Sequence, residues 1–320
     1  MTHGAPLGEL SRPARLRPGA RVAIVAPSGP VPEDRLEEGL GILRGWGLDP
    51  VVMPHVRDRH RQFAYLAGDD ADRARDLTEA WCDPSVAAVL CARGGYGVQR
   101  MADLVDWAAL RAATAAQGRP KAFVGYSDVT ALHEAFAVRM GISTLHGPMT
   151  AALGFLKDGP TQESLRATLF EPESVQTLGL ATARTMVPGR ARGITLGGCA
   201  SLLATGLGTP AARPSARGGL LLLEDIGEEA YRLDRVLTQL LRAGWLDGVA
   251  GIALGSWVDC GPYETQIRPV LHDRLATLGV PVVEELGFGH SATALTVPLG
   301  VPAVLDADAG VLKLEAPALI

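Results

Sequence analysis

Four short runs in the first half of the chain, Val22–Ala26, Val51–Met53, Val86–Cys91 and Ala122–Gly125, are apolar almost throughout, and each is followed by a stretch with helical spacing. A strand buried on one face alternates apolar and polar residues, so a continuous apolar run marks a strand covered on both faces. Leu36, Leu40 and Leu43 follow the first run at helical spacing. After the second run, Asp69 and Asp70 can cap a helix carrying Leu77 and Trp81. Val98–Leu110 reads as a helix after the third, and Val129, Leu132, Phe136 and Met140 share one helical face after the fourth. The pattern predicts α/β architecture, with a mostly parallel sheet covered by helices.

The pattern weakens between Gly154 and Gly193, which are joined by a stretch rich in Thr, Pro, Gly and Glu. The expected division is one domain at 1–153, a connection at 154–193 and a second domain at 194–320. In the second, Leu220–Leu223 reads as a buried strand ending in Glu224-Asp225. Leu233, Val236, Leu237, Leu240 and Leu241 give a helix, Val249–Leu254 another strand, and Ile267 to Leu278 a helix that stops at Gly279. The tail from Leu295 to Leu314 reads as short β segments.

At 320 residues, 47% hydrophobic and 20% charged, the chain can bury a sizeable core. Its net charge of −5 excludes a basic field for nucleic acid. No apolar run is long enough to span a bilayer, and the Pro- and Arg-bearing start lacks the apolar core of a secretory signal, so a cytoplasmic protein is expected. Cys82, Cys91, Cys199 and Cys260 are too widely spaced for a metal or disulfide framework; no metal or cofactor is expected.

The chemistry concentrates where the fourth strand ends, at Gly125-Tyr126-Ser127-Asp128. A serine on a sharp strand-to-helix turn is held out of the backbone beside the free amides of a helix start, as a hydrolase nucleophile requires. It needs a base. His3 lies near the terminus, His55 and His60 sit in a charged loop, and His133 and His272 fall within helical patterns. His146 and His290 sit in Gly-flanked loops, and the residues alone leave these two nearly tied. Glu224, at the end of a buried strand, can orient an imidazole. The order Ser127, Glu224, His290 matches that of α/β-hydrolases, but Val129 stands where G-x-S-x-G has its second glycine. Each feature has a plainer reading: a helix cap at Ser127, a strand end at Glu224-Asp225, a loop hydrogen bond at His290, and a turn at Arg93-Gly94-Gly95-Tyr96-Gly97.

Taken together, the segments resemble the LD-carboxypeptidase family of serine peptidases, which includes murein tetrapeptide carboxypeptidases and microcin C immunity peptidases. The matching pieces are Val25–Gly29, Ala92–Gly97, Val124–Asp128, His146-Gly147-Pro148, Leu223-Glu224-Asp225, Tyr231–Arg235, and Gly289-His290 with Pro298-x-Gly300, in the family's order. The resemblance implies a Rossmann-like N-terminal domain and a smaller β-rich C-terminal domain, with the site between them. It implies Ser127 as nucleophile, Glu224 as acid and His290 as base, and so resolves the histidine tie. Oxyanion donors would be the amides of Asp128 and of the Gly94-Gly95 turn. His146 becomes a pocket residue, and Arg93 a candidate for a substrate carboxylate. The implied substrate is a small peptide, murein tetrapeptide, trimmed of its terminal D-alanine. A homodimer is compatible with the resemblance. In place of the family's usual Asn after Gly197-Gly198 stands Cys199. An immunity-type peptidase, with Trp257 stacking on a base, and a non-catalytic binding protein remain the rival readings.

Overall fold

The computed structural model describes residues 5–320, so His3 lies outside the described residues. Strands β1 (Arg21–Val25), β2 (Asp49–Val52), β3 (Val86–Cys91), β4 (Ala122–Gly125) and β5 (Thr144–His146) run parallel. Helices α1 (Glu33–Gly45), α2 (Asp70–Cys82), α3 (Val98–Met101), α4 (Trp107–Gln117) and α5 (Thr130–Met140) connect them. Helices α6 (Leu153–Lys157) and α7 (Gly159–Phe170) come next. Then follow β6 (Thr177–Leu178), β7 (Arg184–Val187), β8 (Arg190–Cys199), α8 (Ala200–Gly206), β9 (Gly219–Ile226), α9 (Ala230–Arg242) and β10 (Gly251–Val258). Helix α10 (Arg268–Leu275), β11 (Val282–Glu284), β12 (Val297–Leu299), β13 (Pro302–Asp306) and β14 (Val311–Leu314) complete the chain.

The strands form two sheets, ordered β12-β5-β4-β3-β1-β2 and β6-β14-β13-β8-β9-β10-β11-β7. The first is a doubly wound α/β sheet, whose order reverses between β1 and β3. That reversal opens a crevice at the carboxyl ends of the strands, where the loops after β1, β3 and β4 meet. In the second, β8 to β11 are parallel, and antiparallel strands flank them.

The apolar runs have the predicted cause. Val22 and Ile24 enter one core cluster and Ala23 and Val25 the other, all fully buried. Likewise Leu220 and Leu222 face one side of the second sheet, and Leu221 and Leu223 the other. Each of the Val, Ile and Leu side chains contributes about 1.5–3 kcal/mol of transfer free energy, which fixes the register.

Three expectations change in detail. Val98–Leu110 is not one helix: Asp106 accepts a hydrogen bond from the Ala109 amide and starts α4 afresh. The stretch 154–193 contains α7, whose Leu165 and Leu169 pack on the first sheet, as well as β6 and β7 of the second. And β12, from the tail, crosses back to pair antiparallel with β5.

Candidate active site

The β4–α5 junction holds Ser127 half-buried at the end of the strand. Tyr126 is extended, with φ −155°, and Ser127 then turns to φ 64°, one of three non-glycine residues with positive φ among those described. Such a conformation is costly for an L residue and persists only where the surroundings hold it. His133, on α5, binds the Gly125 carbonyl (2.9 Å) and the Thr144 hydroxyl (2.8 Å). Burial, then the neighbouring His146, pushes its imidazole down to about 3, so it acts as a neutral brace. After Ser127 a single 3₁₀ turn leads into α5, and its first amides have no intrahelical acceptor.

The Gly94 turn presses on this junction. A Cβ on Gly94 would lie 2.9 Å from Ser127 Cβ and 3.1 Å from its Oγ, so only glycine fits. The Gly29 amide donates to the Gly94 carbonyl at 3.1 Å, and Gly95 has φ 121°. Asp128 ties the two loops together: its buried carboxylate accepts the Val98 amide at 2.9 Å, at the start of α3. Burial raises its carboxyl, against the pull of that hydrogen bond. Arg93 is exposed, and its guanidinium donates to the Pro30 carbonyl at 2.7 Å. The candidate cation for a substrate carboxylate is therefore solvent-exposed.

The second sheet supplies the facing groups. Adjacent strand residues point to opposite faces, so Glu224 and Asp225 diverge at the end of β9. Asp225 accepts the Ser201 and Ile226 amides and holds the start of α8; burial pushes its carboxyl up to about 6. Glu224 is fully buried and points the other way, with Oε2 2.6 Å from His290 Nδ1. Its Oε1 accepts the Cys199 thiol at 2.9 Å, and His146 Nε2 lies 3.7 Å from the same oxygen. Burial alone would raise the Glu224 carboxyl; His290 and His146 overcome it and hold it below the usual carboxylate range.

His290 is placed by its own loop. Ser256, at the end of β10, accepts the amides of His290 (2.7 Å) and Ser291 (3.1 Å) through one hydroxyl. Gly289 has φ 104°, and a Cβ there would lie 2.7 Å from both Glu224 Oε2 and Ser256 Oγ. The Tyr126 ring sits 4.7 Å from that of His290, so the residue preceding Ser127 packs directly on the imidazole. No hydrogen bond joins Ser127 Oγ to His290 among the described residues; such contacts often tighten only when substrate binds. Beside the His290 loop, a cleft of about 480 Å³ is lined by Trp257, Tyr263, Phe288 and Ser291.

The structure thus joins Glu224 to His290 and packs the Ser127 turn against both the Gly94 loop and, through Tyr126, the imidazole. It leaves His146 buried beside Glu224, with neither ring nitrogen hydrogen-bonded. Sequence reading missed the contacts of Ser256, Asp225, Asp128 and Cys199, because each one's partner lies 24 to 34 residues away in sequence. Cys199, Glu224 and His290 bring potential metal-ligating atoms within 4.8 Å of one another. Those atoms are already engaged with each other, His290 Nδ1 with Glu224 Oε2 and the Cys199 thiol with Oε1.

Comparison with known proteins identifies the family. The model of the LD-carboxypeptidase N-terminal domain matches residues 22–147, and that of the C-terminal domain residues 192–305. A protein of Streptomyces coelicolor, named only provisionally as a carboxypeptidase, is 69% identical over 97% of this chain and 98% of its own. The murein tetrapeptide carboxypeptidase of Pseudomonas aeruginosa is 34% identical over 90% of this chain and 94% of its own. The microcin C7 self-immunity protein MccF of Escherichia coli is 24% identical over 76% of this chain and 78% of its own. A solved structure of MccF with glutamyl sulfamoyl guanosine has a TM-score of 0.85 at 22% identity, covering 97% of this chain and 99% of that one, a likeness of fold. With both domain models matched in order across most of its length, the chain belongs to the LD-carboxypeptidase family of serine peptidases.

Proposed function

We propose that this enzyme removes the terminal D-alanine from murein tetrapeptide through a triad of Ser127, His290 and Glu224. The observation that carries the reading is the 2.6 Å contact between His290 Nδ1 and the fully buried Glu224. It commits the Nδ1 proton to the carboxylate and leaves Nε2 to act as base. Ser127 Oγ attacks the carbonyl of the scissile amide and its proton passes to His290. The tetrahedral oxyanion meets the amides of Asp128 and of the Gly94-Gly95 turn. His290 then protonates the leaving amine, D-alanine departs, and water releases the acyl group by the same route.

An exopeptidase must also recognise a free carboxylate. Arg93 is proposed for that role, with His146 lining the pocket on the acid's side. Arg93 is exposed, so its contribution is that of a screened ion pair, within about 1 kcal/mol. A murein substrate is preferred because the murein-named relative is the more similar of the two specificities compared, at 34% against 24% identity. A cytoplasmic role in wall recycling is the cellular half of the proposal, along with assembly as a homodimer and a division into domains near residues 154–193. In the structure, no described helix is long and apolar enough to cross a membrane.

The test is mass spectrometry of murein tetrapeptide incubated with the purified protein. Loss of one D-alanine is expected, with slower cleavage of the amidated and of the all-L peptide. Turnover of an aminoacyl sulfamoyl nucleoside, with the tetrapeptide intact, overturns the substrate. No turnover of either overturns the catalytic reading.

A further inference from the structure

We propose that Cys199 is a positioning residue, its thiol holding the Glu224 carboxylate while its backbone holds the helix that follows Ser127. The inference rests on the triad reading above. Cys199 ends β8, lies in register with Glu224 on β9, and is buried. Its Sγ donates to Glu224 Oε1 at 2.9 Å. Its amide donates at 3.0 Å to the hydroxyl of Thr130, the first residue of α5 and fully buried. One residue therefore touches the acid by its side chain and the nucleophile's helix by its main chain.

The consequence lies in the carboxylate's rotation. With Oε2 held by His290 and Oε1 by the thiol, the plane of the carboxylate is fixed, and the imidazole is aligned with it. Without the thiol, Oε1 is a fully buried charged oxygen with only His146 Nε2 near it, at 3.7 Å. Leaving such an acceptor short of a partner costs more than the bond itself contributes.

The thiol stays protonated in this setting. Burial first, then Glu224 and Asp225, holds it well above the usual thiol range, so it is a donor and not a nucleophile. The titratable groups facing this cluster are His290 on its loop, His146 on β5, Tyr126 at the end of β4, Asp128 in the nucleophile turn and Asp225 on β9. Of these, only His290 and His146 approach the Glu224 carboxylate with a cation-forming nitrogen.

A buried cysteine can also serve merely as a small apolar filler. Two variants separate the roles: Cys199→Ser keeps a donor, and Cys199→Val keeps apolar volume without one. Positioning predicts that Cys199→Ser stays within about threefold of wild type, while Cys199→Val loses roughly tenfold or more in kcat with little change in KM. Wild-type kinetics for Cys199→Val, or an equal loss in Cys199→Ser, would overturn the proposal.

A measurement on the wild-type protein guards against variants that do not fold. The infrared S–H band of Cys199, assigned by difference from Cys199→Ser, should lie at the frequency of a hydrogen-bonded thiol; a free-thiol frequency overturns the contact. Failure of the triad reading looks different. Ser127→Ala would then remain active, whatever the thiol band shows.

Discussion

At the scale of single residues, Ser127 combines a costly backbone conformation with a position against the Gly94 turn. Ser127→Ala should reduce turnover of the tetrapeptide by ~10⁴-fold or more, with circular dichroism and melting unchanged. A folded variant within tenfold of wild type would remove Ser127 as nucleophile. Glu224 makes a different prediction, because it acts through His290. A negative charge facing the imidazole favours its protonated form. The base must be neutral to accept the serine proton, so kcat/KM should fall as pH drops through the titration of the base. Glu224→Gln removes that charge. The rate at neutral pH should drop, and the acid limb of the kcat/KM profile should move to lower pH. A limb that stays in place would show that Glu224 does not face the base during turnover.

At the scale of elements, the site is assembled from strand ends and the loops that follow them. The His290 loop depends on Gly289, where a Cβ would meet Glu224 Oε2 and Ser256 Oγ at 2.7 Å. Gly289→Ala should displace His290 from the carboxylate and lower kcat by at least ~10²-fold, as small misplacements of reacting groups do. Undiminished kcat would show that the loop tolerates the shift. Strand identity was legible because β1, β3, β4 and β9 are apolar in consecutive residues such as Val22–Val25 and Leu220–Leu223. The Ser127 elbow was legible because strand, turn and helix are contiguous. What favours His290 over His146 as base is not local: both stand beside glycines in the sequence, His146 ends β5, and only the family resemblance separated them. Ser256 and Cys199 were invisible for the same reason. Each meets its partner across sheet pairings or loops 25 to 34 residues apart in sequence, and no periodicity encodes that contact. The Asp106 break in the third helix was missed because the apolar spacing continues through it while a cap interrupts the backbone.

At the scale of the whole molecule, stability and catalysis depend on how the two sheets are held. Asp76 is buried on α2, one carboxylate oxygen lacks a hydrogen-bond partner, and burial pushes its carboxyl from 3.8 up to about 6. Between those values the folded state binds the proton that the unfolded chain has released, so Asp76 makes stability fall as pH rises. Asp76→Asn should raise the melting temperature at pH 7, by ~1–3 kcal/mol of stability, and gain little at pH 4; an equal gain at both would assign the effect to packing. The contact between the halves carries the last prediction. Glu134 lies on α5, directly after the Ser127 turn, and Arg213 on the segment between α8 and β9. The Arg213 Nε donates to both carboxylate oxygens at 2.9 and 2.7 Å, with both side chains nearly buried. Such a pair stabilises little beyond an apolar contact of similar volume, but breaking it strands a buried charge. Arg213→Ala should therefore cost ~3–5 kcal/mol, while Glu134→Leu with Arg213→Met should recover most of it. Because α5 also bears the Thr130 contact to Cys199, the single variant should lose kcat as well as stability. The double variant should regain melting temperature and turnover together. If it regained stability but not turnover, the ion pair would be setting the orientation of the Ser127 helix against Glu224, and its directionality rather than its strength would be what catalysis uses.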